Sequence, residues 1–232
     1  MEALDVVFGI DMSTKSQHTH STMSRFLLDF SDALHKNTNY LNLGSLEYGS
    51  EARVTFPYRT KPAAAAFSAM VKRLSVVDDG RAVDAALVTA YESFFKPRHN
   101  EKPGDINIEA LRKRIAAGNT NLKDLISTDG RKINRRKLFV LLVSGPHINN
   151  GGDVVPVHAA RLLYDLGVQI MVVAFDDIDA KVKAIVQNPN DVFEFNRGKN
   201  IVHFMDEICN KFETSKYMIF TFLWLVPSRQ NH

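Results

Sequence analysis

One cysteine, Cys209, in a chain of 232 residues excludes an internal disulfide. That suits a reducing compartment, or an extracellular piece whose partner cysteine lies outside this sequence. Membrane-length apolar runs are also missing. The C-terminal stretch Tyr217–Val226 (YMIFTFLWLV) is about half of the roughly 20 residues a spanning helix needs, so no transmembrane span is expected and residues 216–232 are read as an apolar packed tail or a gene-model artefact, with a truncated anchor as the lesser alternative. The start, MEALDVV, lacks the basic opening and apolar core of a secretion signal. The expectation is either an intracellular protein or a piece of a longer one. No glycine cluster follows the first apolar run, which removes the dinucleotide fingerprint. No low-complexity tract interrupts the chain, and 45% hydrophobic with 24% charged residues fits an ordinary globular domain.

Charge is scarce in net terms, at +3, but uneven. From Lys96 to Lys137 there are 12 Lys and Arg against 5 Asp and Glu, so this segment carries +7 and the rest of the chain −4. It also holds Pro97, Pro103 and several Gly, Asn and Asp residues. It therefore looks like a basic surface insertion at about 96–136. Its clusters Arg112-Lys113-Arg114 and Arg135-Arg136-Lys137 are candidate contacts for sulfated glycans. Interleaved aromatics for base stacking are lacking, and no nucleic-acid partner is expected.

What is present is an alternation of strands and helices. The run VVFGID (Val6–Asp11) is a buried strand that delivers Asp11 and Ser13 to its carboxyl end. Met23, Phe26, Leu27, Phe30 and Leu34 recur at helical spacing and predict a helix over about 19–35. Strand-like pieces at about 42–48 and 52–56, joined by Gly49-Ser50, predict a hairpin, with Pro57 marking an edge. Two helices follow, one from about Pro62 and one carrying Val83, Ala86, Leu87, Ala90, Tyr91 and Phe94. Leu138–Val143 and Val168–Phe175 are apolar enough for strands buried on both faces. A helix at about 154–166 lies between them, and a short helix, a short strand and a last helix near Ile201–Phe212 complete the series. The order predicts an α/β fold: a doubly wound, mostly parallel central sheet with one antiparallel edge hairpin and helices on both faces. We expect a single domain over residues 1–215.

The order and spacing of VVFGIDMS, LEYGSEARVTFPY, AVDAALVTAYESFF and KLFVLLVSGP resemble the von Willebrand factor A domain, also called the integrin inserted domain. The pair AARLLYDLGVQIMVVAF and NPNDVFEFN is similar to the family's closing helix and strands. The resemblance runs from about Asp5 to Phe212, apart from the insertion. It is closest to the extracellular matrix types of collagen VI and matrilins, in which a cysteine after the last helix pairs with one ahead of the first strand; Cys209 matches the later of the two. The resemblance implies a secreted protein-binding module of an extracellular matrix or cell-adhesion protein, not an enzyme. Its ligand would be collagen or another matrix protein. A cytoplasmic, scaffold-type A domain is the alternative.

In that family a metal-ion-dependent adhesion site holds Mg²⁺ through a DxSxS turn, a threonine before the third helix and an aspartate after the fourth strand. Asp11 and Ser13 match the first two ligands. The third position is Lys15, which has no acceptor. No Ser or Thr lies between Ser75 and Thr89, where Arg81 adds a charge, and Ser144 stands where the aspartate belongs. The site is therefore degenerate, and no cofactor is expected. Three readings stay open: Asp11 and Ser13 still bind Mg²⁺, Lys15 or Arg81 pairs with Asp11 in the metal's place, or Asp11 merely caps the turn. The expected ligand-binding face comprises Asp11, Ser13, Lys15, Arg81, Ser144 and His147.

Other signals are weaker. GIDMSTKS also resembles the first phosphate loop of sugar kinases and actin-like ATPases, but this chain has neither the length nor the further glycine-rich loops of those folds. A phosphotransferase fragment is thus a remote alternative. A haloacid-dehalogenase reading fails because Ser13 replaces its second aspartate. His18, His20 and His35 converge with no Cys or carboxylate set in the sequence, and residues two apart do not share a helical face.

Overall fold

The computed structural model describes residues 3–37, 40–60, 64–96, 135–148 and 156–195. The chain divides into two compact units, Met1–Glu194 and Phe195–His232, and all described residues except Phe195 belong to the first. Residues 97–134 of the insertion, with Arg112, Lys113 and Arg114, lie outside the described residues, as do the predicted last helix, Cys209 and the apolar tail.

Six strands form one sheet in the order β3-β2-β1-β4-β5-β6. They are β1 (Ala3–Asp11), β2 (Tyr40–Tyr48), β3 (Ala52–Thr60), β4 (Arg135–Val143), β5 (Val168–Ala174) and β6 (Val192–Glu194). All neighbours are parallel except β2 and β3, which form the expected antiparallel edge hairpin. The helices are α1 (His20–Asn37), α2 (Ala64–Val71), α3 (Val83–Ala90), α4 (Pro156–Tyr164) and α5 (Ala180–Lys183). A 3-10 turn, Thr14–Thr19, precedes α1, and a π turn, Tyr91–Phe95, extends α3. This is the predicted α/β architecture.

The period-2 alternation of β1 splits the core in two. Val7 packs with Phe139, Leu141 and Val172 against Val83, Ala86 and Leu87 of α3 and Ala159, Ala160 and Leu163 of α4. Phe8 points the other way, into a chain of rings. Phe175 meets Phe26 at 5.8 Å between centroids, Phe26 meets Phe30 at 5.3 Å and Phe30 meets Phe8 at 6.0 Å. Phe67 of α2 then lies 5.6 Å from both Phe8 and Phe56. Each such contact adds about 0.5–1.5 kcal/mol beyond the area it buries.

Gly9 lies beneath the Phe139 ring: a Cβ there would stand 2.7 Å from Phe139 Cζ. Gly9→Ala should therefore cost about 1–3 kcal/mol by overpacking. In the Gly9→Ala/Phe139→Leu double variant the cost should be less than the sum of the two singles, as urea midpoints will show. Additive costs would mean that the ring does not close over Gly9.

Strand β4 starts at Arg135, three residues before the predicted boundary, because the basic cluster is tied to the sheet. Arg135 Nε–H donates to Asp5 Oδ1 at 2.7 Å, Arg136 to Gln169 Oε1 at 2.6 Å, and Lys137 Nζ to the Leu166 carbonyl at 3.2 Å. These three residues are strand residues with intramolecular partners, not part of a free basic loop. The predicted start of α1 also shifts, since the chain first makes the 3-10 turn and enters the α-helix at His20.

Candidate functional site

Strand order reverses at β1: the chain leaves it through α1 to β2 on one side and returns through α2 and α3 to β4 on the other. Ligand crevices of open α/β sheets form at the carboxyl ends of strands at such a reversal. Asp11, the last residue of β1, lies at this point and is fully buried.

A buried carboxylate needs partners for both oxygens. Asp11 Oδ1 accepts from Ser13 N–H at 3.0 Å and Ser13 Oγ–H at 2.7 Å, closing the turn after β1. Oδ2 accepts from Arg81 Nε–H at 2.8 Å and from Ser144 N–H, just after β4, at 3.1 Å. Arg81 is itself buried, with its side chain 4% exposed. Its Nη1 donates to the Pro146 carbonyl at 3.2 Å, and its main chain pairs with Ile148. One guanidinium thus joins the β1 turn, the loop before α3 and the loop after β4.

Gly145 makes room for it. Its φ of +135° is a conformation that favours glycine, and a Cβ there would come within 2.4 Å of Arg81 Nη1. Around this centre the hydroxyls are also engaged. Ser16 Oγ lies 2.7 Å from the Ser13 carbonyl and 2.7 Å from His20 Nε2, while Thr19 Oγ1 stands 2.9 Å from Ser144 Oγ. Burial lowers the pKa of His20 below that of an ordinary imidazole, with the Asp11 charge opposing the shift. Tyr48 OH donates to the Leu142 carbonyl at 3.0 Å, and burial raises its pKa far above the usual phenol value.

The structure brings Asp11, Ser13, Arg81 and Ser144 together and leaves Lys15 exposed. Of the two cations the sequence offered as partners for Asp11, Arg81 makes the contact. Its burial corrects one expectation, because it offers a partner no open basic surface. His147 is also not on the face: its side chain is 2% exposed, its Nδ1 accepts from the Val83 N–H at 3.3 Å, and its Nε2 stands 4.0 Å from Asp84 Oδ1. Sequence reasoning missed the part played by Gly145 and by the Pro146 carbonyl. The triplet SGP after a buried strand is a turn signal, but it does not reveal which side chain the turn will cradle. The exposed lip above the pair is made of Thr14, Lys15, Gln17, His18, Pro146 and Asp176, and His18 Nε2 reaches Asp176 Oδ2 at 3.0 Å across it.

These residues do not fit a hard divalent cation. Such an ion wants about six oxygen donors, whereas both oxygens of Asp11 are already hydrogen-bonded and a fixed guanidinium occupies the space beside them. Among the described residues, no group of three or more His, Cys, Asp or Glu side chains is arranged to hold a metal.

No curated protein matches the chain. Several solved structures share its fold. Proximal thread matrix protein 1 from the mussel byssus aligns with a TM-score of 0.64 at 16% identity over 89% of this chain and 45% of its own, so this chain spans less than half of that protein. A further structure of it has a zinc-occupied MIDAS motif. A von Willebrand factor type A protein from Catenulispora acidiphila aligns at 0.56 and 13% identity, over 89% of this chain and 41% of its own. The pilus adhesin SpaC from Lactobacillus rhamnosus GG aligns at 0.59 and 12% identity, over 91% of this chain and 30% of its own. Residues 5–111 match the family model of the von Willebrand factor type A domain, and the described residues have the α/β fold of that domain.

Proposed function

We propose that this chain is a protein-binding module of a matrix or adhesion protein, docking its partner at the carboxyl ends of the central strands without a metal ion. The observation that carries the reading is the buried Asp11–Arg81 pair at the position of the family's metal. Domains of this type are commonly protein-interaction modules rather than enzymes. The mussel thread matrix protein supports an extracellular matrix setting, with collagen or another matrix protein as the ligand class. Docking uses the exposed lip, where Lys15 is the one outward cation of the face first expected. A sulfated-glycan contact is proposed for Arg112, Lys113 and Arg114.

A ligand that binds only the folded state raises the melting temperature by mass action. Melting in EDTA and in millimolar Mg²⁺, Mn²⁺ or Zn²⁺ should give temperatures within about 1 °C of one another. A rise of several degrees that Ser13→Ala abolishes would restore the metal-dependent reading.

A further inference from the structure

We infer that a second docking surface lies away from the Asp11 centre, in the groove between the β2–β3 hairpin and α2, and that it takes a short acidic segment of a partner protein bearing an apolar side chain. The cavity is about 390 Å³, which falls in the range of ligand clefts and is large enough for one or two side chains. Phe56 and Pro57 line the hairpin side; Ala66, Ala69, Met70 and Leu74 line the helical side.

Charge at the mouth selects the occupant. Among the described residues Glu47 is the only acid lining the groove, and its side chain is 3% exposed and paired with Arg53. That contact neutralises Glu47 and holds Arg53, 66% exposed, over the cavity with guanidinium N–H groups to spare. Arg73, just beyond α2, is exposed; its main-chain N–H donates to the Met70 carbonyl at 2.8 Å, and its guanidinium has no hydrogen bond or ion pair among the described residues. Among the described residues the groove thus carries one uncompensated positive charge, contributed by Arg73 on the helical side, with the fixed Arg53 on the hairpin side. A carboxylate between two guanidiniums makes charge-assisted hydrogen bonds to both, while the apolar floor rewards a neighbouring Leu, Met or Phe. A partner segment with both features satisfies the groove; a purely basic or purely apolar one does not.

The surroundings are suited to an incoming segment. Ala64, Ala65, Ala66 and Ala69 are exposed on α2, so short side chains flank Met70 and Leu74 along that wall. Apolar surface rimmed by charge marks interaction sites more often than isolated apolar residues do.

The test is selection from a displayed library of random dodecapeptides on the intact chain, followed by fluorescence anisotropy of the enriched peptides. Enriched peptides should carry Asp or Glu beside an aromatic or large aliphatic residue. Arg73→Glu and the groove-filling Ala69→Trp should each weaken them at least about tenfold, and raised salt should weaken them further. Both substitutions are at exposed positions, and unchanged melting curves will show that each variant is folded. Lys15→Glu, on the other surface, should leave these peptides bound while weakening any ligand of the strand-end face, so failure of one surface is distinguishable from failure of the other. Absence of enrichment, or enriched peptides that bind Arg73→Glu and Ala69→Trp as tightly as the original chain, would overturn the inference.

Discussion

Asp11→Ala should lower the unfolding free energy by about 3–5 kcal/mol, because it leaves the Arg81 charge buried and unpaired. The loss is far larger than the 0–1 kcal/mol expected of a surface ion pair such as Arg25–Asp29. Two features place the pair at the costly end. Both side chains are withdrawn from water, and Asp11 also supplies the acceptor for Ser13 and for the Ser144 N–H. Urea unfolding should show the midpoint falling with little change in slope. The double variant Asp11→Ala/Arg81→Met should recover much of the loss, since removing both charges costs less than stranding one. A single-variant loss below about 1 kcal/mol would mean that water reaches the guanidinium and screens it.

Gly145→Val should be the next most damaging change, although it alters no charge. A non-glycine residue held at positive φ costs about 1–3 kcal/mol, and β-branched valine is among the least suited to it. A second effect adds to this. The new Cβ falls on Arg81 Nη1, so either the loop after β4 shifts or the guanidinium leaves Asp11. Both routes weaken the same pair. The Arg81 Nε–H proton, protected by its bond to Asp11 in the original chain, should then exchange with solvent freely, which NMR will report. If that proton stays protected in Gly145→Val, the loop absorbs the added side chain without moving Arg81.

Most of the fold was legible because hydrophobic period and turn chemistry are local. VVFGI, LFVLLV and VQIMVVAF announce parallel strands buried on both faces, and Met23, Phe26, Leu27 and Phe30 announce the helix that covers one of those faces. The pairing of Asp11 was only half legible. The sequence shows Lys15 and Arg81 as candidate counter-charges, but the choice rests on where the loop before α3 runs, which is set by long-range main-chain contacts such as the Ala82 N–H to the Gly49 carbonyl at 2.7 Å. His147 shows the same limit. A histidine in a turn after a strand suggests a solvent-facing side chain, yet it is buried because its Nδ1 accepts the Val83 N–H at the start of α3. Arg135 and Arg136 were assigned to the insertion by its charge and its Pro, Gly, Asn and Asp content, and the groups that tie them to the sheet, Asp5 and Gln169, lie far away in sequence.

The Arg81 guanidinium also gives the strand-end site a kinetic character unlike that of a metal centre. A bound ion has an off-rate and a loading step, so its site is filled or vacant according to the free ion concentration around it. A counter-charge carried by the chain itself stays at high effective concentration wherever the protein goes. The site then has one charge state in ion-poor and ion-rich surroundings alike, and it is complete as soon as the chain folds.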